Sequence, residues 1–233
     1  MFKYLVFLML SIMSVTAQAT EQCELPKQVS LSFDDDLAID GFYDSLYLFE
    51  KYGVKATLYV SKWPNLTALQ KQKLLAIQAA GHEVGNHGLW HRNATDFTPA
   101  EHKVTDVDPA IPYARGVGLG IHTFAYPYGA RTPLHDAELL KSYVAVRGFT
   151  TNYSVALPSG KPSITAYSID SGHYNFNKVA TAIDNLQPGE TVYFAGHVIG
   201  PWANEWHITA SDLEAVLNYG QSNNVKFCTV KDC

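Results

Sequence analysis

Short β-forming runs separated by amphipathic helices recur along this chain, and that alternation limits its fold more than any other feature. Strands are predicted at QVSLSF (28–33), KATLYV (55–60), HEVGN (82–86), HTFAYP (122–127), VAVRGFT (144–150), SITAYSID (163–170), ETVYFAGH (190–197) and VKFCTV (225–230). Helical spacing fills most of the gaps. Phe42, Leu46, Phe49 and Tyr52 mark a helix over 39–52, and Leu69, Leu74, Ile77 and Ala80 mark one over 67–81 that stops at Gly81. Further helices are expected over 133–143, opened by Pro133, over 176–186, and over 209–220 with Thr209 as its cap. About seven such alternations predict an α/β protein with a parallel sheet. The C-terminal ends of parallel strands then share one face. Residues 92–121 and 198–208 are expected to be long loops, of the kind that build a site there.

A chain of 233 residues has room for one domain with a sizeable core. Residues 1–19, MFKYLVFLMLSIMSVTAQA, combine one lysine, an apolar run and a small-x-small ending at Ala17-Gln18-Ala19. They predict a signal peptide cut before Thr20, leaving a mature domain over 20–233 in the periplasm or outside the cell. The apolar run is short for a membrane span, so stable membrane insertion is not expected. The formal net charge is −5, one unit more negative once Lys3 is removed, and no basic run exists. A nucleic-acid partner is not expected. Cys23, Cys228 and Cys233 sit at the ends of the mature chain. In an oxidising compartment, one disulfide is expected from Cys23 to Cys228 or to Cys233, with one thiol left over. Their peripheral positions argue against a thiol nucleophile.

The polar residues of interest gather at strand ends. SFDDD places Asp34, Asp35 and Asp36 after an apolar strand, and carboxylates there are costly to bury unless paired or metal-bound. HEVGNHGLWH (82–91) begins like the zinc-protease signature H-E-x-x-H but has Asn86 where the second histidine belongs. His87 and His91, four apart, can share one ion if they occupy a helical turn. A carboxylate from Asp34, Asp35 or Asp36 would complete a three-ligand site with an open position. His82 is expected to be a buried strand residue whose ring bonds locally. Asp170 and His197 follow other strands and should converge on the same face.

SFDDD, GHEVGNHGLWH and FAYPYG, in that order and followed by a late strand-end histidine, resemble the polysaccharide deacetylases, carbohydrate esterases built on the NodB-type domain. The resemblance spans about 28–230. It implies a distorted (β/α)7-type barrel, NodB-like, and a metal-dependent hydrolysis that frees acetate from an extracytoplasmic glycan containing N-acetylglucosamine. On that resemblance Asp34 is the catalytic base, and Asp35, His87 and His91 hold the metal, Zn2+ or another divalent ion such as Co2+. The Tyr128 N–H stabilises the oxyanion. His197 is the general acid, with Asp170 orienting it. The chain departs from the family at two positions. Gly88 stands where Ser or Thr is usual. Ala125 replaces an arginine often paired with the catalytic Asp; Arg147 or Arg131 is expected to supply that guanidinium from elsewhere.

Four tryptophans and fourteen tyrosines suit a surface that stacks on sugar rings. Trp202 and Trp206, in the segment after His197, are the best placed for it. Trp90 is expected to pack outward or on the next strand, and His173 is a further candidate to touch substrate. The expected partner is an acetylated glycan met by a monomer: chitin oligomers, peptidoglycan or poly-N-acetylglucosamine. An O-acetyl esterase acting on xylan and a non-catalytic glycan-binding domain are the alternatives.

Overall fold

The computed structural model describes residues 25–151 and 156–233. The expected signal peptide, its cleavage point and Cys23 lie outside the described residues. The strands are β1 (Gln28–Asp34), β2 (Thr57–Val60), β3 (Glu83–Asn86), β4 (Thr123–Ala125), β5 (Ala145–Thr150), β6 (Leu157–Pro158), β7 (Ser163–Ser168), β8 (Glu190–Gly196), β9 (Val198–Ile199), β10 (His207–Ile208) and β11 (Lys226–Cys228). The helices are α1 (Ala38–Asp44), α2 (Leu46–Lys51), α3 (Ala68–Ala79), α4 (Pro99–His102), α5 (Ala110–Val117), α6 (Pro133–Leu139), α7 (Phe176–Asp184) and α8 (Ala210–Ser222).

Strands β1, β2, β3, β4, β5, β7 and β8 run parallel in that order, and β8 pairs with β1 over Gln28–Phe33, which closes a seven-stranded barrel. The closure is uneven. On its other edge β1 pairs with β11 over Gln28–Ser30 and with β2 only from Ser32 onward. Between β3 and β4 a single register pair, Asn86↔Phe124, holds the wall. These features make it the distorted (β/α)7 barrel that the sequence predicts.

Period-two alternation sorts β1 into two faces. Val29, Leu31 and Phe33 join the outer core with Ile39, Phe42, Phe49, Leu213 and Val216 of the surrounding helices. Phe33, Phe42 and Phe49 meet at ring separations of 5.0–6.2 Å, and each contributes about 1.5–3 kcal/mol by burial. Asp34, at the inward parity, is carried to the mouth of the barrel. Tyr59, Ala125, Ala145, Ile164, Ala166, Tyr193 and Ala195 fill the interior.

The opposite end is sealed. Glu83 is buried there and accepts from Thr57 Oγ1 at 3.0 Å, Thr123 Oγ1 at 2.7 Å and the Lys231 N–H at 3.1 Å. Val230 N–H donates to Thr57 Oγ1 at 2.9 Å, so the C-terminal segment caps the barrel. Cys228 pairs with Cys233 across that segment, with Cα atoms 5.6 Å apart. This corrects the expected bridge from Cys23. The turn after β11, in which Cys233 N–H reaches Thr229 O at 3.1 Å, places Cys233 beside Cys228.

Two other expectations change. Residues 92–121 hold α4, a π-helical turn (Lys103–Val107) and α5 rather than a continuous loop. The capping box of α4, Thr98 with Glu101, was a readable signal for it. The helix expected over 39–52 is two helices meeting at Ser45. Gly41 in α1 allows close approach: a Cβ there would lie 2.3 Å from Ile199 O, so α1 carries the base of the 198–208 segment. That segment is tied into a two-stranded pair, β9 with β10. No helix among the described residues is long and apolar enough to cross a membrane.

Candidate metal centre and acid–base pair

Asp35, His87 and His91 come together at the open end of the barrel, their ligand atoms all within 4.8 Å of one another. Asp35 Oδ1 lies 3.2 Å from His91 Nε2 and 3.8 Å from His87 Nε2. The two histidines do not share a helical turn as the spacing suggested. His87 directly follows β3, and the chain reaches His91 through a loop with Gly88 at φ 79° and His91 itself at φ 59°. The rings still meet at 4.9 Å.

His87 Nδ1 lies 2.8 Å from Ala125 O, which only accepts, so Nδ1 carries the proton and Nε2 offers its lone pair toward Asp35. Burial pushes the His87 pKa down to about 4, which keeps the ring neutral, as a metal ligand must be. Two imidazoles and one carboxylate with space beside them form the donor set of a catalytic zinc-type site, and these residues fit a divalent ion. Ser61 Oγ donates to Asp35 at 3.2 Å. Asp36 turns to Lys62 and Ser61 instead, each at 3.2 Å.

Asp34 sits behind this cluster, buried, and accepts a hydrogen bond from Arg147 Nη2. Arg147 is itself buried and lies over the Tyr59 ring, 5.0 Å from its centroid. Burial works to raise the Asp34 pKa, but Arg147, with His87 and His197, holds it below the usual carboxylate value. The guanidinium absent at Ala125 therefore arrives from β5 next door, where Arg147 is the register partner of Ala125. Arg131 is engaged elsewhere, with Asp136 at 3.0 Å and Ile164 O at 2.6 Å.

His197 stands just past β8. Asp170 receives its Nδ1–H at 2.8 Å and its backbone N–H, also at 2.8 Å. Burial works to lower the His197 pKa, yet the hydrogen bond and charge of Asp170, aided by Asp34 and Asp35, raise it. One cleft thus holds a carboxylate made more acidic and an imidazole made more basic, opposite shifts that suit a base and an acid.

Asp35, His87, His91, Tyr128 and His197 all line a cleft of about 600 Å³. Tyr128 adopts φ 60°, is 68 % exposed and packs edge-on to His91 at 4.8 Å. Trp202 and Trp206 line the same cleft, and Trp206 lies 5.2 Å from the His197 ring. Trp90 faces outward. His173 is not on the cleft wall: its ring is 5.6 Å from Trp206, and its Nδ1 is 3.5 Å from Ser168 Oγ. His82 is buried, accepting from Ala56 N–H at 3.1 Å.

Among the lining residues that no chemical motif announces are Leu37, Phe149 and Asn204. Of these Phe149 carried a signal, since it shares the face of β5 with Arg147, two residues on.

The family model for polysaccharide deacetylases matches residues 21–144. No curated protein matches the chain. Solved structures with the same fold include the chitin deacetylase of the fungal pathogen Colletotrichum lindemuthianum, 17 % identical, with a TM-score of 0.64 over 91 % of this chain and 89 % of that one. The peptidoglycan deacetylase PdaC of Bacillus subtilis is 16 % identical, with a TM-score of 0.58 over 89 % of each chain. The CE4 domain of a xylanase from the hindgut metagenome of Trinervitermes trinervoides is 17 % identical, with a TM-score of 0.59 over 89 % of each. At these identities the likeness is one of fold.

Proposed function

Because the chain belongs to the polysaccharide deacetylase family, as a metal-dependent deacetylase acting on an acetylated glycan, we propose that it removes N-acetyl groups from an extracytoplasmic glycan containing N-acetylglucosamine. Acetate and a glucosamine unit are the products. Zinc is the proposed ion, with Co2+ an effective replacement, and Asp35, His87 and His91 hold it. Bound there, such an ion supplies Lewis-acid polarisation of the acyl carbonyl and makes water more acidic.

The chain's own groups complete the reaction. Asp34, ionised and held by Arg147, accepts the proton of the attacking water. The Tyr128 N–H donates to the oxygen that becomes negative, a kind of contact worth about 3 kcal/mol. His197, kept protonated by Asp170, delivers its proton to the departing nitrogen. Trp202 and Trp206 give the neighbouring sugars flat apolar faces. Beyond Tyr128 the cleft continues into a hollow lined by Arg92, Asn93, Asp96 and Phe97, which suits a polymer passing through.

The observation that carries this reading is His197 Nδ1 held 2.8 Å from Asp170 Oδ2, a contact that favours the protonated ring in the cleft. An amide nitrogen leaves only when protonated, so a persistent acid is what N-deacetylation needs. An ester's alkoxide leaves more readily and needs it less. The test is acetate release by metal-loaded protein from chitin oligomers, peptidoglycan, poly-N-acetylglucosamine and acetylated xylan. Release from an N-acetylated glycan is expected. Release from acetylated xylan alone would establish the esterase reading instead, and no release from any of them would favour a glycan-binding domain.

A further inference from the structure

Gly88 follows the ligand His87 and lacks the hydroxyl that Ser or Thr would bring. Its surroundings show what stands in that space. A Cβ at Gly88 would lie 2.3 Å from Asp106 Oδ2, and Gly88 has φ 79°, which disfavours any side chain. Asp106 is fully buried on the π-helical turn between α4 and α5. Its Oδ1 accepts from the Trp90 N–H at 2.7 Å, its Oδ2 from the Arg92 N–H at 3.2 Å, and its backbone O from the Leu89 N–H at 2.7 Å. One residue therefore takes three amide donors of the loop that carries His91, two of them from its immediate neighbours.

Asn86 secures the same loop from the other end. Its Oδ1 accepts from the Gly88 N–H at 3.0 Å, and its Nδ2 donates to Val107 O at 2.9 Å. The loop is thus strapped to the π turn at both ends. His91 sits between the two amides that Asp106 grips, in a left-handed conformation that a free chain seldom adopts.

We infer that Asp106 is a positioning residue for the metal: through the Trp90 and Arg92 amides it fixes the backbone on either side of His91, in place of a side chain at position 88. The inference rests on His91 being a ligand. It requires Asp106 to act on affinity through that ligand alone. Neither amide finds another acceptor within the strap, so losing the carboxylate frees the His91 backbone to leave its left-handed conformation.

The test is a double-mutant cycle read as zinc affinity by chelator competition, with far-UV circular dichroism of the metal-free proteins as the check on folding. Asp106→Ala should weaken zinc binding about 10- to 100-fold, as loss of outer contacts to ligands does, and should alter the Co2+ absorption spectrum. On a His91→Ala background the same change should have no further effect. Asp106→Asn keeps the shape and one acceptor, so a loss of several-fold is expected, and this variant decides the matter if the alanine does not fold. Wild-type zinc affinity in Asp106→Asn, or an undiminished Asp106→Ala effect on the His91→Ala background, overturns the inference while leaving the ligand assignment intact. Wild-type affinity in His91→Ala overturns both.

Discussion

At the scale of single residues, the site divides into groups that hold the ion and groups that move protons, and substitution should separate them. His87→Ala should abolish metal binding, measured as bound zinc per chain after dialysis. His197→Ala should keep its metal and lose about 10²–10⁴-fold in turnover, the usual worth of a general acid. A metal-replete His87→Ala with normal activity would sink the assignment. Arg147 gives a second test. With Arg147→Met, Asp34 keeps its burial and loses the charge that offsets it, so its pKa must rise and the acid limb of the pH–rate profile must move to higher pH. An unshifted limb would remove Arg147 from the mechanism. Stability should also fall by about 3–5 kcal/mol, because a buried carboxylate is left without its partner. Most of these side chains were legible in the sequence, since acids and histidines at strand ends have few structural uses. The Asp34–Arg147 contact was legible only as one of two candidates, Arg147 or Arg131, because it joins residues 113 apart and depends on β5 lying beside β4. Asp106 left no trace; nothing in TDVD at 105–108 marks its carboxylate as turned inward.

At the scale of elements, apolar periodicity located the barrel strands to within a few residues, because each buries a hydrophobic stripe against the helices around it. It failed where local capping decides the structure. The 92–121 region is expected to be a loop, yet the Thr98–Glu101 box starts α4 there, and Val107, Ala110 and Ala114 run at helical spacing into α5. The disulfide failed for a different reason. Loop geometry, which sequence does not specify, favoured the near pair Cys228–Cys233. A bridge spanning so few residues restrains the unfolded chain modestly, so Cys228→Ser with Cys233→Ser should cost about 2 kcal/mol. That loss should appear in the denaturant midpoint while zinc content and turnover stay unchanged, since the bridge lies at the end of the barrel away from the metal centre. A matching fall in zinc content would mean that the two ends are coupled.

At the scale of the whole molecule, closure of β8 on β1 lets seven strand ends converge on one cleft, and it also buries histidines that stay neutral in the fold. His82, His87 and His102 are each pushed by burial to about 4, from 6.5. The unfolded chain therefore binds more protons than the folded one between those values. Stability falls as pH drops through that window, by at most about 1.4 kcal/mol per group for each pH unit. The melting temperature of the metal-free protein should decline steeply from pH 6.5 to 4 and less steeply below; a flat profile would show that these rings are not neutral in the fold. The seven barrel strands were foreseeable from the alternation of patterns, but the short β6, β9 and β10 and the seal at the far end were not; Glu83 becomes a plug only when Thr57, Thr123 and the Lys231 amide surround it. That seal divides the labour of the barrel between its ends. Substitutions at the closed end are free to tune thermal endurance, and those at the open end to redirect substrate choice, so an engineer can change one property without reopening the other.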